Sequence, residues 1–155
     1  MRRTYRKPGL IALAIFLFAI VFCAIGAADD TIASLKARLE HTNGEERPGL
    51  CVRIAQLDER EANRLYADGK IEDARATVEE IAIYFEKARD AAIEAKAHLK
   101  NVEIDARKMS AKLNDLKRTL AFEDQAPVGQ AIKRIEDVRT ALLQDMFANK
   151  KKDKK

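Results

Sequence analysis

The sequence predicts an all-α protein, an elongated antiparallel bundle built on one helix of about 50 residues from about 71 to 122. An apolar residue falls at every alternating three- or four-residue step of this stretch, which is the spacing of a continuous a/d seam. Between Gly69 and Pro127 there is no glycine or proline to interrupt a helix. No segment alternates with period two, so we expect no strand. The seam positions are Ile71, Ala74, Val78, Ile81, Phe85, Ala88, Ala92, Ala95, Leu99, Val102, Ala106, Met109, Leu113, Leu116 and Leu120.

Three shorter helices are predicted beside the long one, over about 30–41, 47–68 and 127–148. The connections between them are short, which makes sequential helices antiparallel neighbours. We therefore expect the 47–68 helix to cover the N-terminal half of the long helix, and the 127–148 helix to cover its C-terminal half. The first helix is expected against the N-terminal half as well, because apolar residues there extend beyond the seam to Ala82, Ile83, Tyr84 and Ala91.

Residues 1–28 have the organisation of a secretory signal peptide. Basic residues precede the uncharged apolar run Leu10–Ile25, and Gly26 and Ala28 fit a cleavage site before Asp29. An uncleaved anchor is the alternative, because an apolar run of this length overlaps the lower end of a membrane span. We expect an exported protein, periplasmic or secreted, or alternatively one anchored in the inner membrane with its helical domain outside the cytoplasm.

The charge distribution separates a bundle domain, residues 29–149, from a basic and disordered tail, residues 150–155. Beyond residue 28 the chain carries 25 basic and 25 acidic side chains, and the tail alone holds five lysines and one aspartate. Such a balance gives no general basic surface, so we do not expect nucleic acid as a partner. Membrane contact is expected only through the N-terminal segment or the tail.

Residues that carry catalysis or bind metals are scarce. Beyond residue 28 the chain has two serines, two histidines and one cysteine, and it lacks the Glu-x-x-His pairs, His-Glu-x-x-His motif and glycine-rich phosphate loop of familiar sites. Glu94 and His98 stand four residues apart, a spacing typical of a solvated pair on a helix surface. We expect no enzymatic activity, no cofactor and no metal.

Cys51 is the one cysteine that lies beyond the predicted signal segment. It stands in the apolar stripe of the 47–68 helix with Leu50, Ile54 and Leu57, which favours a buried free thiol. An intermolecular disulfide is the alternative, because an odd cysteine in an exported chain has no partner of its own.

The stretch from Leu99 to Leu120, together with Arg139–Leu143, resembles an uncharacterised group of exported all-helical bacterial proteins. That resemblance implies an exported location and an all-α fold, and it carries no activity.

Leu65–Ala74 resembles the turn between the two helices of a tetratricopeptide unit, but Asp58 and Glu61 stand at apolar positions of that unit. No second copy follows at the period of about 34 residues that such repeats require. The small size, signal segment and long helices also resemble the periplasmic chaperone Skp (OmpH-like), whose β-rich head has no counterpart here.

These features predict a non-enzymatic interaction or scaffold protein of the bacterial envelope that acts through coiled-coil-like helix packing. The alternatives are a membrane-anchored spacer or sensor part and a periplasmic holdase-type chaperone. The expected partner is another protein or a second copy of the chain. The residues expected to make the contact form the seam of the C-terminal half: Leu99, Val102, Met109, Leu113, Leu116 and Leu120.

Overall fold

A computed structural model of the chain divides into two units, residues 1–30 and residues 31–155, and describes residues 31–152. The described backbone contains helices and turns without a strand, which confirms the predicted all-α class. The predicted signal or anchor segment lies outside the described residues. The helices are α1 (Ile32–His41), α2 (Glu46–Ala67), α3 (Ile71–Ala95), α4 (Leu99–Thr119) and α5 (Gln125–Lys152), with a 3-10 turn at Phe122–Asp124 before α5.

The prediction of one helix of about 50 residues is wrong, because α3 ends at Ala95 and a new helix, α4, begins at Leu99. Lys96 and His98 adopt left-handed backbone conformations, with φ of 50° and 61°. The N–H of Lys96 donates to the Ile93 carbonyl (3.2 Å) and the N–H of Ala97 donates to the Ala92 carbonyl (3.1 Å), the two bonds of a Schellman helix end.

The turn between α2 and α3 has the same geometry, with Gly69 in the left-handed position at φ 73°. The Gly69 N–H donates to the Tyr66 carbonyl at 3.1 Å, and the Lys70 N–H donates to the Leu65 carbonyl at 2.9 Å. Glycine adopts this conformation without steric cost, whereas a lysine does so only when tertiary packing compensates for the strain. The end of α2 at Gly69 is therefore predictable from the sequence, whereas the end of α3 at Lys96 is not.

Because the predicted long helix is interrupted at Lys96, α2 to α5 form a four-helix bundle. Two antiparallel hairpins, α2/α3 and α4/α5, lie against each other, so that α3 packs mainly on α2 and α5. The α5 helix runs parallel to α3, since Asp124 at its start pairs with Arg75 and Arg134 further along pairs with Glu86. Likewise, α4 runs parallel to α2. Each of the two helices that replace the predicted long helix, α3 and α4, thus packs against its own hairpin partner and against the other hairpin.

Arginine–carboxylate pairs between the helices fix their register. The Arg134 guanidinium donates two hydrogen bonds to the Glu86 carboxylate, at 2.7 and 2.8 Å, and a further one to Glu79. Arg139 of α5 donates to Glu103 of α4 at 2.7 Å. The Arg134–Glu86 pair is bidentate and therefore directional, so it aligns α5 with α3 as well as stabilising their contact.

Helix α1 begins with a capping box, in which the Thr31 hydroxyl accepts from the Ser34 N–H and the Ser34 hydroxyl accepts from the Thr31 N–H, both at 3.1 Å. Its other end is held by α2, because the Arg47 guanidinium donates to the carbonyls of Leu39 (3.1 Å) and Thr42 (2.9 Å). The α1 side chain of Lys36 pairs with Glu80 of α3.

The predicted seam supplies much of the core, although the long helix that was predicted to carry it is divided into α3 and α4. From α3 and α4 the fully or nearly fully buried residues include most of the seam. Of the predicted wide flank, Ala82, Tyr84 and Ala91 are buried, whereas Ile83 is only partly buried. From α5 the buried residues are Val128, Ala131, Ile135, Val138 and Leu142.

Candidate interaction groove

Two surface cavities lie between α2 and α4, on the side where the two hairpins pack less closely. We call the surface that these cavities line the groove. One, of about 530 Å³, lies near the start of both helices, and the other, of about 300 Å³, lies further along them. The α2 residues that line the groove extend from Gly49 to Asn63, which corresponds to roughly 21 Å of helix.

The α2 side of the groove is formed mainly by residues at steps of three and four (49, 52, 56, 59 and 63), and its composition is mixed. Val52 and Leu50 are apolar and almost buried, so they form the floor, and polar side chains stand at the rim. The α2 residues that line the two cavities are Gly49, Leu50, Val52, Arg53, Gln56, Glu59 and Asn63.

Gly49 is the least expected member of this surface. It lies inside the first turns of α2, where glycine destabilises a helix by up to about 1 kcal/mol relative to alanine. A Cβ atom built at Gly49 meets nothing within 4 Å, and its φ is not in the left-handed region. Neither the backbone nor the packing of the described residues therefore requires a glycine here, and its absent side chain leaves the α2 backbone open to the larger cavity.

The α4 side places two of the six predicted contact residues at the groove. Val102 lines the larger cavity and Leu116 lines the smaller one. Met109 and Leu113 are buried in the chain's own core, and Leu99 and Leu120 are partly buried at the two ends of α4. The side chains of this seam thus pack first against the chain's own helices, and only its groove-facing edge lies beside open space.

A polar bridge crosses the groove beside the smaller cavity. The Lys112 ammonium of α4 donates to a carboxylate oxygen of Glu59 at 2.9 Å, and the Asn63 amide donates to the other oxygen, also at 2.9 Å. Lys112 remains half exposed, whereas Glu59 is nearly buried. The Lys112 side of this bridge is exposed to water, and its Glu59 side is largely buried.

Asp58, the next residue to Glu59, points to the opposite face of α2, toward α1 and α3. Only 2% of Asp58 is exposed, and its Oδ2 atom is buried without a hydrogen-bond donor among the described residues. Burial raises the pKa of the Asp58 carboxyl to about 6, the nearby Lys36 ammonium opposes the rise, and the Glu80 carboxylate adds to it.

Tyr84 and Lys36 stand near this carboxyl, and a second lysine, Lys87, lies over the Tyr84 ring. The Lys36 and Lys87 ammonium groups lie over the Tyr84 ring, at 5.4 and 4.7 Å from its centre. Both distances are within the range of cation–π attraction. Lys36 therefore contacts the ring and pairs with Glu80, and this combination holds α1 on the α2/α3 hairpin.

The other predicted site residues are placed as follows. Cys51 is a fully buried free thiol, and burial raises its pKa. Glu94 and His98 no longer share one helix, because the break at Lys96 separates them. Within residues 31–152, no group of three or more His, Cys, Asp or Glu is arranged to hold a metal ion. No helix of the described part is long and apolar enough to span a membrane.

Sequence reasoning identified the apolar seam but missed the groove. The available signal was Gly49, a glycine that lies inside a predicted helix and that no turn requires.

No family model matches the chain, and comparisons with curated proteins and with solved structures give no match either.

Proposed function

We propose that this chain is an exported, non-enzymatic interaction protein of the bacterial envelope, and that it binds a helix of a protein partner in the groove between α2 and α4. The envelope location rests on the signal-like organisation of residues 1–28. The binding site rests on one observation in particular: Gly49 opens a helix backbone to a cavity of about 530 Å³ without any internal packing reason.

The groove has the dimensions and chemistry of helix-in-groove recognition. Its length of roughly 21 Å would accommodate about four turns of a partner helix. Apolar side chains on its floor would receive the apolar stripe of an amphipathic helix, and the rim would contact the flanking polar residues. Arg38, Glu45, Glu46 and Asp105 give that rim both signs of charge, so it suits a partner helix with mixed charges.

A single substitution at Gly49 tests the proposal, because it fills the groove without altering the core. Gly49→Leu places a side chain in the larger cavity, and the open space where its Cβ atom would lie predicts that the fold tolerates it. Gly129→Leu on α5 is the matched control, since Gly129 is also helical and its Cβ would meet only the flexible end of Lys117, at 3.4 Å.

The measurement is recovery of co-purifying proteins from an envelope extract, quantified for the wild type and both variants. We expect at least one protein whose recovery falls about tenfold with Gly49→Leu and stays unchanged with Gly129→Leu, because a blocked groove removes more than about 1.4 kcal/mol of binding energy. If every protein that binds the wild type binds Gly49→Leu equally well, the groove is not the binding site. Thermal unfolding of the three proteins separates lost binding from lost folding.

A further inference from the structure

The last part of α5 extends beyond the rest of the bundle. Arg139 of α5 lies opposite Glu103 of α4, and the two helices are antiparallel, so position 143 is level with the start of α4 at Leu99. Helix α5 continues to Lys152, which carries its backbone roughly 13 Å past that level. Among the residues of α5 whose burial the structure describes, 125–148, the last deeply buried one is Leu142.

This extension carries an exposed aromatic side chain beside a surface hollow. Phe147 is 63% exposed, and it lines the hollow together with Thr140, Gln144, Ala148 and the partly buried Leu143. The i, i+4 spacing of Leu143 and Phe147 puts them one turn apart on one face. Asp145, the acidic residue of this segment, lies on the opposite side of the helix by the same periodicity.

Lysines follow this apolar face directly. Lys150, Lys151 and Lys152 come within five positions of Phe147, and Lys154 and Lys155 follow Asp153. The six residues carry a formal charge of +4, whereas residues 29–149 carry 24 acidic and 20 basic side chains. The positive charge of the chain beyond the predicted signal segment is thus concentrated in the residues that closely follow Phe147 in the sequence.

From this juxtaposition we propose that the α5 extension binds an anionic phospholipid surface, with Leu143 and Phe147 entering the interface and the lysines 150–155 contacting the phosphate headgroups. An apolar helix face flanked by lysines is the arrangement that holds amphipathic helices in the plane of an anionic membrane. Each lysine near such a surface strengthens binding by about fivefold, and burial of a phenylalanine side chain strengthens it by about tenfold or more. A partner protein would not need the charge to be concentrated in this way.

The chain contains no tryptophan, so a single introduced tryptophan reports on its own position. We would replace Phe147→Trp in the full chain and, as the matched control, Phe122→Trp in the 3-10 turn, where the aromatic ring is 89% exposed and not followed by a lysine run. Each protein is mixed with vesicles of phosphatidylglycerol or of phosphatidylcholine, and tryptophan emission and quenching by brominated lipid are recorded.

We expect the tryptophan at position 147 to shift to shorter wavelength and to be quenched only with phosphatidylglycerol vesicles, and the shift to reverse at about 0.5 M salt. Replacing the five lysines of residues 150–155 by glutamine should abolish the shift. The tryptophan at position 122 should not respond. Because the reporter is local, binding through residues 1–28 does not produce the signal at position 147.

Three outcomes would overturn the proposal. In the first, vesicles sediment with the protein while the emission at position 147 stays unchanged. In the second, phosphatidylcholine gives the same response as phosphatidylglycerol. In the third, the emission shifts with protein concentration in the absence of lipid, which would assign the face to a second copy of the chain.

Discussion

Two neighbouring carboxylates of α2, Asp58 and Glu59, are both nearly buried but have opposite surroundings. Glu59 faces the groove, where the Lys112 ammonium and the Asn63 amide each donate to it at 2.9 Å. Asp58 faces α1 and α3, where its Oδ2 atom lacks a donor among the described residues and where Glu80 adds a like charge. One face of α2 is therefore a set of ionic contacts open to solvent, and the other is a closed core that contains an unfavourable charge.

Burial alone therefore does not determine what a carboxylate contributes to stability. Glu59 accepts two hydrogen bonds that its neutralisation would weaken, whereas burial raises the pKa of Asp58 and disfavours its charged form. Neutralising the two side chains should consequently change the free energy of unfolding in opposite directions.

The largest effect is expected from Asp58→Asn. The pKa of Asp58 is raised from 3.8 to about 6 in the folded chain, so the folded state binds more protons than the unfolded state between these values. The stability that Asp58 contributes is therefore full below about pH 4 and is lost as the pH rises through about 6. Asn cannot ionise, so the stability gained by Asp58→Asn relative to the wild type should grow by about 3 kcal/mol from about pH 4 to neutral pH.

Urea unfolding of the wild type and Asp58→Asn across this pH range gives the measurement. The difference between the two proteins isolates Asp58 from carboxylates such as Glu86, whose pKa is lowered chiefly by its hydrogen bonds with Arg134. A difference that stays constant between about pH 4 and 7 would show that the Asp58 face is hydrated and not closed.

A smaller effect of opposite sign is expected on the groove face. Lys112→Met removes the ammonium group but retains most of the side-chain length, so it should lower the free energy of unfolding by about 1 kcal/mol at neutral pH. Glu59→Gln keeps a hydrogen-bond acceptor for the Asn63 amide and should cost less. In a double-mutant cycle, the two changes together should cost less than their sum, because both break the same bridge.

An additive cycle would contradict the contact between Glu59 and Lys112. Repeating the cycle at about 1 M salt supplies the control, since the coupling of a half-exposed pair should then decrease. Asp58→Asn should retain its effect under the same conditions, because its main cause is burial.

The apolar patterns of the sequence predicted the helical class, the seam and the wide flank around Tyr84, because those features depend on local periodicity alone. The topology was not accessible in this way. The break at Lys96 uses a lysine in a conformation normally taken by glycine, and the packing of α4 and α5 back onto α2 and α3, which local periodicity does not encode, accompanies it. Gly69 made the equivalent turn predictable, since the residue type itself carried the signal.

The candidate groove could not be predicted from the sequence for the same reason. It exists only because α4 folds back beside α2, which a continuous long helix would have prevented. Four of the predicted contact residues are buried in the chain's own core, and two of these, Val102 and Leu116, also line the cavities of the groove; the four are Val102, Met109, Leu113 and Leu116. A seam in a sequence reports that helices pack there, but it does not distinguish a partner from another part of the same chain.

The smallest effect is expected from Gly49→Ala, on the groove face of α2. No atom lies within 4 Å of the added Cβ, so the change should raise the free energy of unfolding by about 0.5–1 kcal/mol through the helix propensity of alanine. Urea unfolding at neutral pH measures it, and the gain should be independent of pH, unlike that of Asp58→Asn. Because a methyl group fills little of the cavity, Gly49→Ala should also retain partners that Gly49→Leu loses. A loss of stability would mean that the groove is closed at Gly49, and that the glycine is there for internal packing.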